Sequence, residues 1–129
     1  MFEVRVEAGF SAAHFLRDYH GKCENLHGHN YKVFAHARGR ELDQGGMLLD
    51  FSVLKKTLRA VCKELDHTNL NNIEEFKQNP SAERIAMYIF RRICEEMPEL
   101  SPTDDKSKAS LFAVDVFETD TSRARYTLE

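Results

Sequence analysis

The sequence has no tryptophan, only three cysteines, and no apolar run close to the roughly 20 residues that a membrane-spanning helix needs. An odd number of cysteines, with neither a basic leader nor a continuous apolar segment at the N-terminus, argues against a secreted protein held by disulfides. Lys and Arg form no block, and the formal charge is −3, so neither a nucleic acid nor a membrane is an expected partner. We therefore expect a soluble cytoplasmic protein with free thiols.

What the sequence does contain suits a single domain spanning residues 1–129. Hydrophobic residues make up 42% and charged residues 30% of the chain, which are ordinary values for a folded domain of this size. Alternation of apolar and polar residues predicts strands from residue 2 toward His14 and over residues 29–38, 111–118 and 123–128.

Two amphipathic helices are predicted between the two pairs of strands. Their apolar stripes are Leu54, Leu58, Val61 and Leu65 in the first, and Ile85, Ile89 and Ile93 in the second. Asp50 or Ser52 is expected to cap the first helix and Ser81 the second. The order β-β-α-α-β-β favours an α+β fold, in which an antiparallel sheet carries both helices on one face.

The triplet His27-Gly28-His29 predicts a metal site. Residues two apart on a strand point the same way, about 6.5 to 7 Å apart, so two imidazoles can converge on one ion. His14, at the end of the first strand, becomes a third ligand if the two strands form a hairpin. Three histidines with an open fourth position are typical of catalytic zinc, although imidazole also suits iron, nickel or copper. The alternative is a solvated turn that happens to be rich in histidine.

Two further histidines lie near this triplet in the sequence. His20 falls in a predicted loop, and His36 has the parity of the polar face of the second strand. Both are interpreted as surface histidines.

The three thiols differ in their surroundings. Cys23 lies four residues before His27, where a nearby cation would lower the pKa of its thiol. It is either a fourth ligand or a reactive base, and a zinc ion kept open for substrate favours the base. Cys62 and Cys94 lie within the helical patterns and are interpreted as buried structural thiols.

Two acidic residues could take part in proton transfer or substrate binding near such a site. Asp66 precedes His67 at the end of the first helical pattern, and a carboxylate that steadies an imidazole makes a general acid or base. The alternative is an ordinary imidazolium near a helix C-terminus. Glu118 closes an alternating strand, where its carboxylate either accepts two N–H bonds from a planar ligand edge or is simply solvated.

Six motifs together resemble the family of 6-pyruvoyl- and 6-carboxy-tetrahydropterin synthases over nearly the whole chain. They are FSAAH (10–14), the Cys23-x3-HGH spacing, GMLLDFSVLK (46–55), LDHTNLN (65–71), NPSAE (79–83) and FETDTSRARY (117–126). The resemblance implies that zinc is held by three histidines, His14, His27 and His29. It also implies that Cys23 is the catalytic thiol, that Asp66 and His67 assist it, and that Glu118 anchors the pterin ring.

The resemblance also implies a fold and an assembly. The fold is the tunnelling fold, a four-stranded antiparallel sheet with two helices on one face, whose subunits join edges into a barrel. A homo-oligomer is expected, namely a hexamer of two stacked trimers with active sites between subunits. NPSAE has Ser81 where threonine is usual in the family, and its hydroxyl is expected to contact substrate or cap the helix. Glu83 is expected to contribute to the pterin pocket.

The substrate implied by the resemblance is 7,8-dihydroneopterin triphosphate. The short spacing between Cys23 and HGH resembles the branch that makes 6-carboxy-5,6,7,8-tetrahydropterin, acetaldehyde and triphosphate for queuosine biosynthesis. The runner-up is the pyruvoyl branch, which eliminates triphosphate without cleaving the side chain. A non-enzymatic module that binds zinc or pterin is the alternative from another class.

Overall fold

The computed structural model describes residues 1–17, 25–76 and 79–129. Its strands and α-helices in chain order are β1 (Phe2–His14), β2 (His27–Gly39), α1 (Phe51–Leu65), β3 (Thr68–Asn69), α2 (Ala82–Glu96), β4 (Ser110–Thr119) and β5 (Ser122–Tyr126). Three short 3-10 turns cover Leu70–Asn72, Glu74–Phe76 and Pro98–Leu100. None of the helices in these ranges is long and apolar enough to cross a membrane.

One sheet holds all five strands in the order β3-β1-β2-β4-β5. The four long strands pair antiparallel, as the sequence predicts, and both helices pack on one face. The two-residue strand β3 was not predicted. It pairs parallel with the end of β1, at Ala12 and Ala13, so the fold is α+β with a mixed sheet.

The helix-facing side of the sheet follows directly from the alternation in the sequence. On β2, the inward residues Tyr31, Val33, Ala35 and Ala37 are at most 2% exposed. They pack against the stripes of both helices, and these residues form one core together with the inward residues of β4. The predicted helix stripes, Leu54, Leu58, Val61 and Leu65 on α1 and Ile85, Ile89 and Ile93 on α2, are fully buried.

Both helix starts use the predicted caps. The Asp50 side chain accepts a hydrogen bond from the Ser52 backbone N–H at 2.9 Å, which decides between the two candidates for α1. The Ser81 hydroxyl accepts from the Arg84 backbone N–H at 3.3 Å at the start of α2. These bonds satisfy N–H groups that the helix itself leaves without partners.

The opposite face of the sheet contains a correction. His36 has the predicted parity, but it is only 5% exposed and is not a surface histidine. Its Nε2 lies 2.7 Å from Asp115 Oδ2, and its Nδ1 lies 3.6 Å from Glu3 Oε2. Arg125 donates to both carboxylate oxygens of Asp115, at 2.7 and 2.9 Å. We call Glu3, His36, Asp115 and Arg125 the His36 cluster.

Charge pairing holds Asp115 ionised inside this cluster. Burial alone would raise the pKa of Asp115, but hydrogen bonds from Arg125 and His36 outweigh burial and hold that pKa below its usual value. His36 is therefore covered by side chains from β1, β4 and β5, which the period-two pattern of β2 alone does not reveal.

Candidate active site

Three histidines meet where β1 ends and β2 begins. The antiparallel register places His14 opposite His27 and Ala12 opposite His29. Because β2 begins at His27 rather than at the predicted residue 29, the whole HGH triplet lies on the strand. One potential ligand atom from each imidazole lies within 4.8 Å of the other two. We call His14, His27 and His29 the histidine triad.

Two backbone carbonyls fix the tautomers of two of the three imidazoles in the triad. The Nδ1 of His14 lies 2.8 Å from the carbonyl oxygen of Pro80, and the Nδ1 of His27 lies 2.7 Å from that of Asn25. A carbonyl oxygen only accepts hydrogen bonds, so each Nδ1 carries the proton and donates it. The lone pair of each imidazole is then on Nε2, which is the arrangement that metal-binding histidines commonly adopt.

Two of the three Nε2 atoms of the triad are hidden from water. His14 is 1% exposed, and the Nε2 atoms of His14 and His29 have no hydrogen-bond partner within the described ranges. A buried nitrogen without a partner is costly, and a metal ion would satisfy it. Burial lowers the pKa of His29, with a smaller contribution in the same direction from the other two imidazoles. The neutral form, which ligates metals, is thereby favoured.

Glu118 approaches the triad from β4. Its Oε2 lies 3.8 Å from His29 Nε2, and its side chain is 27% exposed. The same carboxylate lines a depression of about 290 Å3 together with Glu83, at the start of α2. The structure therefore brings Glu118 and Glu83 together, whereas Ser81 serves as the N-cap of α2.

Asp66 and His67 form an oriented pair directly after α1. His67 Nδ1 lies 2.8 Å from Asp66 Oδ2. Asp66 Oδ1 accepts from the Ser11 N–H at 2.8 Å, and the His67 N–H donates to the Ser11 carbonyl at 2.6 Å. These two bonds fix the pair to β1. The hydrogen bond from the Ser11 N–H, followed by the one from the His67 ring, lowers the pKa of Asp66.

The backbone of His67 is unusual. Its φ is 55°, a left-handed conformation that few residues other than glycine adopt and that is found disproportionately at functional sites. Its imidazole is 84% exposed. It lines a shallow depression of about 500 Å3 together with His29. The pair is thus held beside the triad with its outer ring nitrogen open to a ligand or to a second chain.

The three predicted thiol positions have different outcomes. Cys23, like His20, lies outside the described residues. Cys62 is buried, and burial raises the pKa of its thiol to about 12. Cys94 is half-buried, and its pKa is also raised, chiefly by burial. Both are protonated at neutral pH, in keeping with the interpretation of structural thiols.

Sequence reasoning missed two features around the site. The carbonyl of Pro80 orients His14, which gives the NPSAE motif a contact with the triad. A depression of about 720 Å3 also adjoins Asp66 and is lined by the basic residues Lys32, Lys55, Arg59 and Lys63. The spacing of the last three residues, four apart along α1, is the signal that could have found it.

Comparison with known proteins adds the family to this geometry. A family model described as 6-pyruvoyl tetrahydropterin synthase matches residues 3–129. The chain belongs to this family.

Relatives within this synthase family carry more than one name. The chain is 37% identical over 131 aligned residues to a Bacillus subtilis protein named 6-carboxy-5,6,7,8-tetrahydropterin synthase, with 97% of this chain and 84% of the relative covered. It is 41% identical over 95 residues to a Pyrococcus furiosus protein named dihydroneopterin monophosphate aldolase, covering 74% and 77% of the two chains. Both names refer to a pterin, but one describes a synthase and the other an aldolase whose name includes a monophosphate.

A solved structure from the same synthase family shows the same fold. The 6-pyruvoyl tetrahydropterin synthase of Caenorhabditis elegans matches with a TM-score of 0.81 and 29% sequence identity, covering 99% of this chain and 96% of the other. The tunnelling fold expected from the motifs is therefore confirmed.

Proposed function

We propose that the protein is a zinc-dependent lyase that converts 7,8-dihydroneopterin triphosphate to 6-carboxy-5,6,7,8-tetrahydropterin, acetaldehyde and triphosphate. The observation that carries the proposal is the histidine triad, with two Nδ1 atoms tethered to carbonyls and buried Nε2 atoms left for an ion. An acid-base pair on one side and a carboxylate on the other supply what a pterin substrate needs.

The donor atoms of the triad are of a kind that zinc prefers. Three imidazoles and no thiolate among the described donors match a catalytic rather than a structural zinc site. The ion would be held by His14, His27 and His29. When bound, it would polarise the hydroxyls of the substrate side chain and make their loss of a proton easier.

Residues of the chain would bind the pterin and transfer the protons. Glu118 accepts hydrogen bonds from the 2-amino and ring N–H edge of the pterin, and Glu83 and Ser81 lie at the same end of α2. The Cys23 thiolate removes a proton from the substrate side chain. His67, steadied by Asp66, then accepts or returns the next proton. Triphosphate leaves as a stable anion.

The choice between product branches rests on the spacing of Cys23 from the HGH triplet. A shift of about 1 Å in the position of a base can cost a hundredfold in rate, so the spacing affects which proton is removed. The Bacillus subtilis relative carries the carboxy name, which favours side-chain cleavage. The pyruvoyl product is the second candidate, because the Caenorhabditis elegans structure with the same fold carries that name.

The deciding experiment is to incubate the zinc-loaded protein with 7,8-dihydroneopterin triphosphate, trap volatile aldehyde and weigh the pterin product by mass spectrometry. Acetaldehyde with a carboxy-pterin is expected. Triphosphate release without acetaldehyde, and a pterin that keeps its three-carbon side chain, would establish the pyruvoyl branch instead. Binding without any change in the pterin's ultraviolet spectrum would leave a non-enzymatic module. Cys23→Ala is the matched variant and should keep its zinc while losing turnover.

We also propose that the active protein is a symmetric homo-oligomer, a hexamer of two trimers with sites between subunits. The outer strands of the sheet leave backbone groups open: β5 is one edge, and β3 covers only residues 12 and 13 of β1 at the other. Such edges invite pairing with a second chain. An active monomer in light scattering at micromolar concentration would overturn this assembly.

A further inference from the structure

A stripe of basic side chains runs along α1 toward Asp66. Lys55, Arg59 and Lys63 are spaced four residues apart, which places them on one face of the helix. They line the depression of about 720 Å3 that adjoins Asp66, and Lys32 reaches it from β2. We call Lys55, Arg59 and Lys63 the α1 basic stripe.

The charges of this stripe differ from those on the neighbouring helix. Arg92 of α2 binds Glu64 and Glu96 through its guanidinium, both at 2.7 to 2.8 Å. In the parts of the chain that the structure describes, no carboxylate lies within 4.0 Å of the charged nitrogens of the α1 basic stripe. Like charges four apart on a helix repel one another, so an anion in the depression would stabilise the stripe.

The depression adjoins the candidate active site. Asn30 lines both this depression and the one that contains His29 and His67. Asp66 lines the basic depression and at the same time holds His67. The other acid of the lining is Glu7, so four basic groups face two acids, one of which is already bound to Ser11 and His67. A ligand beside His67 can therefore extend an anionic tail along α1.

We infer that the α1 basic stripe binds the phosphate chain of the substrate and makes the enzyme select a triphosphate over a monophosphate. This inference rests on the proposed function, which supplies a phosphorylated pterin beside His67. A triphosphate spans several charged side chains, whereas a monophosphate reaches one or two of them. Each charge-assisted contact beyond those that a monophosphate reaches adds binding only to the longer chain.

The first test measures binding of inorganic tripolyphosphate by calorimetry. The wild-type protein should bind it, and Arg59→Ala should weaken the affinity about tenfold, because one charge-assisted bond is lost. Lys63→Gln is a second variant with the same expectation. Lys56→Ala is the matched control, since Lys56 is exposed on α1 but does not line the depression. Because tripolyphosphate also binds zinc, the affinity should persist in the metal-free variant His27→Ala.

The second test uses the reaction. For 7,8-dihydroneopterin triphosphate, Arg59→Ala should raise KM about tenfold with little change in kcat, and it should reduce the preference over the monophosphate by a similar factor. Melting temperatures of the variants should match the wild type, because the three side chains lie at the surface.

The outcomes separate the two proposals. Equal tripolyphosphate affinity and equal KM in wild type and Arg59→Ala would overturn the phosphate site while leaving the lyase intact. If Arg59→Ala loses tripolyphosphate binding and the wild-type protein shows no turnover, the proposed lyase activity is wrong and the proposed anion site is supported. Affinity that disappears in His27→Ala would assign the tripolyphosphate to the metal and overturn the inference.

Discussion

Two histidine sites of the sheet, the triad and His36, each contain a buried imidazole, and the two have opposite surroundings. His14 of the histidine triad is 1% exposed and His36 is 5% exposed. His36 Nε2 lies 2.7 Å from a carboxylate that Arg125 also binds. In the triad, backbone carbonyls bind the Nδ1 atoms of His14 and His27. Within the described residues, nothing lies within hydrogen-bond distance of the Nε2 atoms of His14 and His29. Burial is therefore common to both groups, and the partner of Nε2 separates them.

The difference in the partners of Nε2 indicates a separate role for each group, structural for His36 and metal-binding for the triad. His36 donates through Nε2 to a carboxylate that an arginine also binds, and its Nδ1 lies 3.6 Å from Glu3 Oε2, so the protein itself surrounds this imidazole with charged partners and the cluster stabilises the sheet. An imidazole whose lone pair faces neighbouring imidazoles is satisfied only by an added ion. Substitutions in the two groups should then separate metal binding from stability.

The largest expected effect is the loss of metal in His27→Ala. This variant should lose its zinc, and turnover should fall by more than about a hundredfold, because losing a ligand costs more than losing a contact behind it. The fold should persist, since the core lies between the helices and the sheet. Atomic absorption and circular dichroism measure the two results.

His36→Ala is the counterpart on the same strand. It should keep full zinc occupancy and lose stability. Full zinc in His27→Ala, or zinc loss in His36→Ala, would break the distinction between the two groups.

The next effect is on stability, in Asp115→Ala. Removing this carboxylate leaves His36 and Arg125 without their partner, and breaking a buried pair costs about 3 kcal/mol or more. Urea unfolding should show this loss in the free energy of unfolding, with zinc retained. Asp104→Ala, at an exposed aspartate, is the control and should change stability by less than about 0.5 kcal/mol.

A smaller effect is expected at the edge of the triad, in Glu118→Gln. The variant keeps the size of the side chain and loses its charge, so pterin affinity should fall about tenfold. Zinc content should stay the same, because Glu118 lies 3.8 Å from His29 Nε2 and is not a proposed ligand. Calorimetry with an unreactive pterin measures the affinity, and an unchanged value would remove Glu118 from the pocket.

The smallest expected effect is on the pH dependence of stability. The pKa of Asp115 is held below its unfolded value, so its contribution is present above about pH 4 and is lost as the pH falls below it. Asp115→Asn should reduce the acid dependence of unfolding by at most one proton. An identical slope between pH 6 and pH 3 in both proteins would show that Asp115 titrates normally.

Much of the fold follows from local patterns in the sequence. The strands alternate and the helices carry stripes because one face of each element packs on the core. The residue pattern was sufficient to predict Ser81 as a cap and Asp50 as one of two candidate caps. The two-residue strand β3 has no period to detect. The start of β2 was placed late because His27 and Gly28 do not alternate in polarity.

Predicting the site required knowing which residues distant in the sequence come into contact. The triad followed from the spacing of HGH and from a hairpin that the register of β1 and β2 provides. The interpretation of His36 was wrong because its partner is 79 positions away in the sequence. The orientation of His67 was equally hidden, since it depends on the backbone of Ser11 and on a left-handed φ.

The bond between His14 and Pro80 also sets an order of maturation. The two residues are 66 positions apart, so the β1–β2 hairpin leaves the ribosome well before the carbonyl that fixes the His14 tautomer. A nascent chain therefore presents its three imidazoles with one ring still free to rotate. Docking of the segment before α2 fixes that ring, so in the proposed zinc enzyme we expect the three donors to reach their final orientation only after this segment has folded.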